Sequence, residues 1–238
     1  MTSFRLAGLH SSPLVKDSLA SLLREEIIAG RLAPGERIIE GKWASKLNVA
    51  QASIREALNI LAAEGFVQRG PGRSTRVIEL SADDVVQIYE MRSALETLAA
   101  RLIMRKRPDL SDLDQAIADM RSAALCNNVR AFYERDIRFH LLLAEKAGNR
   151  FLEQELRRLI VPLFAFVVMR VHGAVDEPER WERSIAEHQQ ILGLLRGTDP
   201  EHSEREIARI NQQFFVDTYT LMAAENGEWH RAIGVNAP

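Results

Sequence analysis

The sequence predicts a mainly α-helical protein in two parts, a small helical head closed by a β-hairpin and a larger all-helical tail. Three observations carry that reading. Strand-like, Gly/Pro-punctuated sequence is confined to residues 66–80, whereas apolar residues elsewhere recur at intervals of three and four. Charge divides at the same place: residues 1–80 carry 11 Lys/Arg against 8 Asp/Glu, and residues 81–238 carry 20 against 25. The overall charge of −2 therefore conceals a basic front and an acidic back. Finally, 238 residues at 46% hydrophobic are enough for one large core or two smaller ones, which excludes a disordered tail protein or a repeat array.

In the head, Leu14–Ala29 carries apolar residues at helical spacing and stops at Gly30, a residue suited to ending a helix. Pro34-Gly35 makes a turn. A short helix over Glu40–Leu47 turns Trp43, Ala44 and Leu47 inward, and Asn48-Val49 makes the next turn. A third helix, Gln51–Glu64, places Ile54, Ala57, Leu58 and Leu61 on one stripe before Gly65 ends it. Phe66–Arg69 and Thr75–Ile78 read as two strands joined by a turn over Gly70–Ser74. Helix, short helix, turn, helix and hairpin is the order of a winged helix-turn-helix.

In the tail, Ser81 before Asp83 and Asp84 is an N-cap with acids in the first turn. That helix runs to about Lys106, and Pro108 stops it. Further helices are predicted over Ser111–Ala124, Val129–Ala147, Asn149–Val171, Glu179–Leu195 and Glu201–Glu225, with Pro162 kinking its helix. Short connections make this an antiparallel all-α bundle of about six helices. The expected domains are a winged helix-turn-helix at 1–80, the helical domain at 81–230 and a flexible tail at 231–238.

A helix that reads DNA presents polar side chains on its first turns while its other face packs. Gln51, Ser53 and Arg55 meet that demand, with Asn59 further along, and Arg55 can reach a base edge or a phosphate. Arg69, Arg73 and Arg76 ring the hairpin, where Gly72 lets the tip approach closely, and Lys42 and Lys46 suit phosphates. The alternative is an ordinary solvated surface, but the arrangement within a basic domain favours double-stranded DNA. One small head neutralises few phosphates, so a homodimer on a two-fold operator is expected.

In the tail the informative residues are polar ones on apolar faces. Asp136 and His140, four apart, point with Val129, Phe132, Leu143 and Ala147, and His188 sits among Trp181, Ile185, Leu192 and Leu195. Each is costly to bury alone. Three readings are open: a divalent metal (zinc, manganese, iron or nickel) held by Asp136, His140 and His188, direct hydrogen bonding of an effector, or an Asp–His pair satisfied within the core. Arg92 lies at the edge of the inward stripe of its helix. It can clamp a carboxylate bidentately or pair with Glu96 one turn on. Asn149 reads as an N-cap, and Cys126, the single cysteine, excludes an internal disulfide and a Cys-rich zinc ribbon.

With these residues in place, the chain resembles a known family. Gly30-Arg-Leu-Ala-Pro-Gly-Glu-Arg-Ile-Ile-Glu, Lys46-Leu-Asn-Val, Ile54-Arg-Glu-Ala-Leu and Glu64-Gly-Phe-Val resemble the winged-helix head of GntR-family bacterial transcription regulators. Tyr89-Glu-Met-Arg92-Ser-Ala-Leu-Glu96, Asp136-Ile-Arg-Phe-His140, Ala147-Gly-Asn149 and Glu187-His188 resemble the all-helical, FCD-type ligand-sensing domain of the FadR-like subfamily. The resemblance implies one Asp and three His as metal ligands, and an arginine at the Arg92 motif that binds organic acids. Three of the four ligand positions match, and the fourth aligns with Gln213, a poor ligand for these metals. A second departure is Ala50-Gln51-Ala52-Ser53 where such heads commonly carry Ser/Thr-Arg-Thr-Pro. Glutamine suits adenine where arginine prefers guanine, so the operator should differ there.

The reading is a homodimeric, ligand-responsive transcription regulator, modulated by a small carboxylate bound among Arg92, Asp136, His140, His188 and Gln213. The cytoplasm is its expected location and a membrane is not an expected partner. No signal-peptide pattern stands at Met1–Pro13, and the longest apolar run, Leu159–Met169, falls short of the roughly 20 residues that cross a bilayer. Two alternatives are a metal-dependent hydrolase-like enzyme using the Asp/His cluster and a DNA-binding protein whose helical domain takes no ligand. Against the enzyme, no HExxH, Gly-rich phosphate loop or Ser/His/Asp arrangement accompanies the cluster.

Overall fold

The computed structural model describes residues 13–70, 74–171 and 178–223. Among these residues the chain forms nine helices and three short strands, in two compact units, Met1–Glu79 and Leu80–Pro238. Gly72, Arg73 and the expected tail at 231–238 lie outside the described residues.

The first unit contains α1 (Pro13–Ile28), β1 (Arg37–Ile38), α2 (Glu40–Leu47), α3 (Gln51–Ala63), β2 (Val67–Arg69) and β3 (Thr75–Val77). Its core is the packing of α1 on α3, where Leu19, Ala20, Leu23 and Ile27 are buried along with Ile54, Ala57, Leu58 and Leu61. Burial of each large aliphatic side chain contributes about 1.5–3 kcal/mol, which orients α3. Asn48 ends α2 in the left-handed conformation at φ +53°, a position that asparagine tolerates, and the chain turns there into α3. The sequence confined strands to 66–80, but β1 adds a third. The antiparallel order is β1-β3-β2, with Arg37 opposite Arg76 and Ile38 opposite Thr75. Two residues are too short to show alternation, so only the tertiary pairing reveals this strand.

The second unit contains α4 (Ala82–Lys106), α5 (Ser111–Leu125), α6 (Val129–Lys146), α7 (Arg150–Val171), α8 (Pro178–Arg196) and α9 (Pro200–Ala223). Ser81 Oγ accepts from the Asp84 N–H, and the Asp84 carboxylate accepts from the Ser81 N–H, a reciprocal cap that starts α4. Asn128 and Asn149 cap α6 and α7 one way, each side-chain oxygen accepting from N–H groups of the first turn. The helix α7 runs continuously through Pro162. Packed against α6, α7, α8 and α9, α4 is central. Polar residues on its buried face, Arg92 and Glu96, are therefore held inside the bundle. Among the described residues no helix is long and apolar enough to cross a membrane.

Candidate functional site

In the helical unit, α6 and α8 bring three side chains together. His140 and His188 are fully buried, and Asp136 is 9% exposed. His140 Nε2 lies 3.1 Å from Asp136 Oδ1, His188 Nε2 lies 3.2 Å from the same oxygen, and the two Nε2 atoms are 3.2 Å apart. The opposite ring nitrogens face acceptors. His140 Nδ1 is 2.9 Å from Glu96 Oε1, and His188 Nδ1 is 2.7 Å from the Ser184 carbonyl. Those acceptors assign the proton to Nδ1 in both rings, the tautomer that leaves Nε2 as a lone pair.

Two lone pairs and a carboxylate oxygen thus face one another, and among the described residues Asp136 Oδ1 is buried without a hydrogen-bond donor. Such a triangle is repulsive until a positive charge joins it. Donor atoms about 2.1 Å from a common ion stand about 3.0–3.4 Å apart at octahedral or tetrahedral angles, which the observed spacing matches. One carboxylate and two imidazoles suit zinc, manganese, iron or nickel.

The nearest positive charge is Arg92. It is 2% exposed, donates from Nε to Glu96 Oε1 at 2.9 Å, and places Nη2 2.7 Å from His140 Nε2. Tyr89, Phe164 and Phe214 surround the guanidinium at 5.2–5.6 Å. The sequence put Arg92 at the edge of its stripe and offered the Glu96 pair as an alternative to a site role. In the structure Arg92 is fully inside, and it makes that pair while touching the cluster. Burial pushes the Glu96 carboxyl up, but Arg92 and His140 outweigh it and hold the group at about 2. Burial likewise opposes ionisation of Asp136, and its pKa is lowered only as positive charge gathers on His188 and His140, the part a cation plays in the triangle. Tyr133 is pushed up to about 12 by burial. A narrow cavity of about 30 Å³, room for roughly one water, is bounded by Tyr89, Arg92, Tyr133, Asp136, Phe164 and Phe214. A larger ligand enters only as these side chains move apart.

Gln213 does not join the cluster. It is exposed, and α9 instead presents Phe214, whose ring centroid is 5.1 Å from that of His188. The buried stripe of α9 is Ile207, Ile210, Asn211 and Phe214, and one residue of phase, 100°, carries Gln213 off it. Asn211, 1% exposed, has no hydrogen-bond partner among the described residues on either side-chain amide atom. Sequence reasoning missed both Asn211 and the role of Glu96 on His140. The signal was present: Glu96 falls on the 89–92–96–99–103 stripe of α4, and Asn211 lies between apolar residues at helical spacing.

In the winged-helix unit, Gln51, Arg55 and Asn59 are exposed on α3, and Lys42 and Lys46 are exposed on α2, with Lys46 Nζ 4.2 Å over the Trp43 ring. Arg69 donates to Asn59 Oδ1 and Thr75 Oγ1, and Arg76 donates to the Gly35 carbonyl. Ser53 is a correction. At 8% exposure it faces the core, because it extends the Ala57–Leu61 row at intervals of four. Gln51, Arg55 and Asn59 remain outward on α3, with the exposed Glu56 beside Arg55.

The family model for the FCD domain matches residues 87–213, and the one described as bacterial regulatory proteins, gntR family, matches residues 16–77. The chain is 28% identical over 199 residues to a probable D-xylose utilization operon transcriptional repressor of Paenarthrobacter nicotinovorans, covering 82% of this chain and 86% of that protein. It is 25% identical over 184 residues to a gluconate operon transcriptional repressor of Bacillus licheniformis, covering 76% and 75%. The solved structure of E. coli McbR/YncC superposes with a TM-score of 0.65 at 21% identity, over 89% of this chain and 99% of that one, which shows a shared fold.

Proposed function

Because the chain belongs to the GntR family of bacterial regulatory proteins and carries the FCD domain, we propose that it reads operator DNA through α3 and senses a small carboxylate in the α4–α9 bundle. Membership of that family makes it a transcription regulator, not the metal-dependent hydrolase that the Asp/His cluster alone would also have allowed. It works as a cytoplasmic homodimer on a two-fold operator, since one head buries too little DNA for tight binding.

The observation that carries the sensing role is the triangle of Asp136 Oδ1 and the two Nε2 atoms, three acceptors within 3.2 Å of one another, with Arg92 beside them. Asp136, His140 and His188 would hold a divalent ion, and when bound it supplies a positive charge that attracts a carboxylate. Arg92 Nη2 now meets the His140 Nε2 lone pair that a bound ion would use. Turned away from that nitrogen, Arg92 would stay tethered through Glu96 and would offer its outer N–H groups to an acid. Glu96 keeps the His140 proton on Nδ1, and Ser184 does the same for His188. The gluconate relative is named for a hydroxylated carboxylate, the ligand class this set of groups would take. An effector changes DNA affinity only by the difference in its affinity for the two arrangements of the bundle.

The test starts from duplexes selected by the wild-type protein out of a random-sequence pool, challenged with a panel of hydroxy acids and sugar acids with and without added zinc. An acid that releases the duplex from wild type should fail with Arg92→Gln. Equal release from both proteins would contradict the site, and so would a panel with no active member.

A further inference from the structure

Glu40 gathers the residues expected to read DNA. It is the first residue of α2, where a carboxylate is favoured by the helix N-terminus, and its side chain is only 13% exposed. Arg55 donates to its Oε2 from Nη2 at 2.8 Å and from Nε at 3.1 Å, and Nε also lies 3.4 Å from Oε1. Gln51 Nε2 donates to Oε2 at 3.2 Å, and Arg69 Nη1 lies 3.5 Å from Oε1. One carboxylate therefore ties the start of α2, the first two turns of α3 and the wing strand β2. The Arg55 guanidinium beside it holds the Glu40 carboxyl below the usual range, so the group is ionised at neutral pH.

The bond pattern has a directional consequence. A guanidinium has two edges that can meet a flat acceptor pair, Nε–Nη2 and Nη1–Nη2. Glu40 takes the first edge of Arg55, leaving the end-on edge as the one available to a base. Half of the Arg55 side chain remains exposed to present it. An unrestrained arginine would instead take whichever phosphate lies nearest, which adds affinity without sequence information. Glu40 also offsets part of the charge of Arg55 and Arg69, lowering the attraction to any duplex.

We propose that Glu40 is a specificity-determining positioning residue, a carboxylate that weakens binding to arbitrary DNA and fixes Arg55, Gln51 and Arg69 in the orientation that reads an operator. Arg55 is half exposed, so its pairing with Glu40 contributes little to folding and the role argued for Glu40 lies in recognition.

The experiment compares Glu40→Gln with wild type on two probes, a 30-bp duplex selected by wild type from a random pool and a scrambled duplex of the same composition, across 50–200 mM salt. Scrambled-duplex binding should tighten by roughly fivefold with a steeper salt dependence, while the selected-to-scrambled ratio falls roughly tenfold. Lys42→Gln, a charge change on the same helix, should weaken both probes alike and keep the ratio. A Glu40→Gln ratio equal to that of wild type would overturn the proposal, since it would reduce Glu40 to a charge. A thermal melt of each variant guards against loss of fold. Should Glu40→Gln melt early, Glu40→Asp, with its charge retained and its reach shortened, must show the same fall in ratio. The proposal rests on α3 as the reading helix. Arg55→Ala separates the two failures, because unimpaired operator binding by that variant would sink the α3 reading itself.

Discussion

The Arg92–Glu96 pair makes a quantitative prediction. Both side chains are buried, at 2% and 0% exposure, and are joined at 2.9 Å, with Glu96 also facing His140 Nδ1. Changing Arg92 to Met leaves two carboxylates, Glu96 and Asp136, in the bundle without the guanidinium, and changing Glu96 to Leu strands the guanidinium. Breaking a buried pair from one side costs about 3–5 kcal/mol, because the remaining charge is neither solvated nor matched. In a helical unit of this size each kcal/mol moves Tm by roughly 2–4 °C, so each single variant should lower the tail transition by roughly 6–20 °C. The double variant Arg92→Met/Glu96→Leu removes both charges and leaves one unmet cost, the His140 N–H, of about 1–3 kcal/mol. It should therefore be more stable than either single variant, with a coupling of at least about 3 kcal/mol. Urea and thermal unfolding of chelator-treated protein, followed by circular dichroism, measure all four corners of the cycle. Additivity within about 0.5 kcal/mol would refute the reasoning, since independent residues behave that way.

Three further outcomes are expected. Arg55→Ala should weaken operator binding by roughly 10–100-fold while the melt is unchanged, whereas Ser53→Ala, at a core-facing position, should stay within roughly twofold in a gel-shift titration. Lys42→Gln should reduce the slope of log affinity against log salt by about one, as loss of one phosphate contact requires. Asn211→Leu should raise the stability of chelator-treated protein by about 1 kcal/mol, because an apolar side chain of similar size replaces a buried amide with neither atom bonded. A loss of that size instead would mean that the amide has a partner in solution.

The long elements were legible because their signals are local. The 3–4 spacing, Ser81 with Asp84, Asn149, and the glycines at helix ends each act over a few residues, and the observed helices begin and end within a residue or two of where these place them. Asp136, His140 and His188 were legible for a related reason, as costly polar residues at apolar phase. The strand Arg37–Ile38 was not, because two residues have no period. Ser53 reads as outward by its polarity, although its four-residue interval to Ala57 points inward. Gln213 was placed by analogy of position, and the phase of Phe214 and Asn211 moves it off the site. The contact of Glu96 with His140 and the role of Glu40 were not legible, because a carboxylate four residues from an arginine, or one at the start of a helix, has an ordinary local explanation. Their importance arises from side chains brought from elsewhere: His140 from 44 residues away in one case, and Arg55 and Arg69 in the other.

In the proposed sensing site a cation would join Asp136, His140 and His188, and metal content measures that directly. Protein purified without chelator, washed free of loose ions and analysed for zinc, manganese, iron and nickel, should carry about one equivalent of divalent metal per chain. The variant His140→Ala, checked for an intact helical signal, should carry almost none. Equal metal in both proteins, or none in wild type even after incubation with each ion, would contradict the metal reading and leave Arg92 as the cluster's cation.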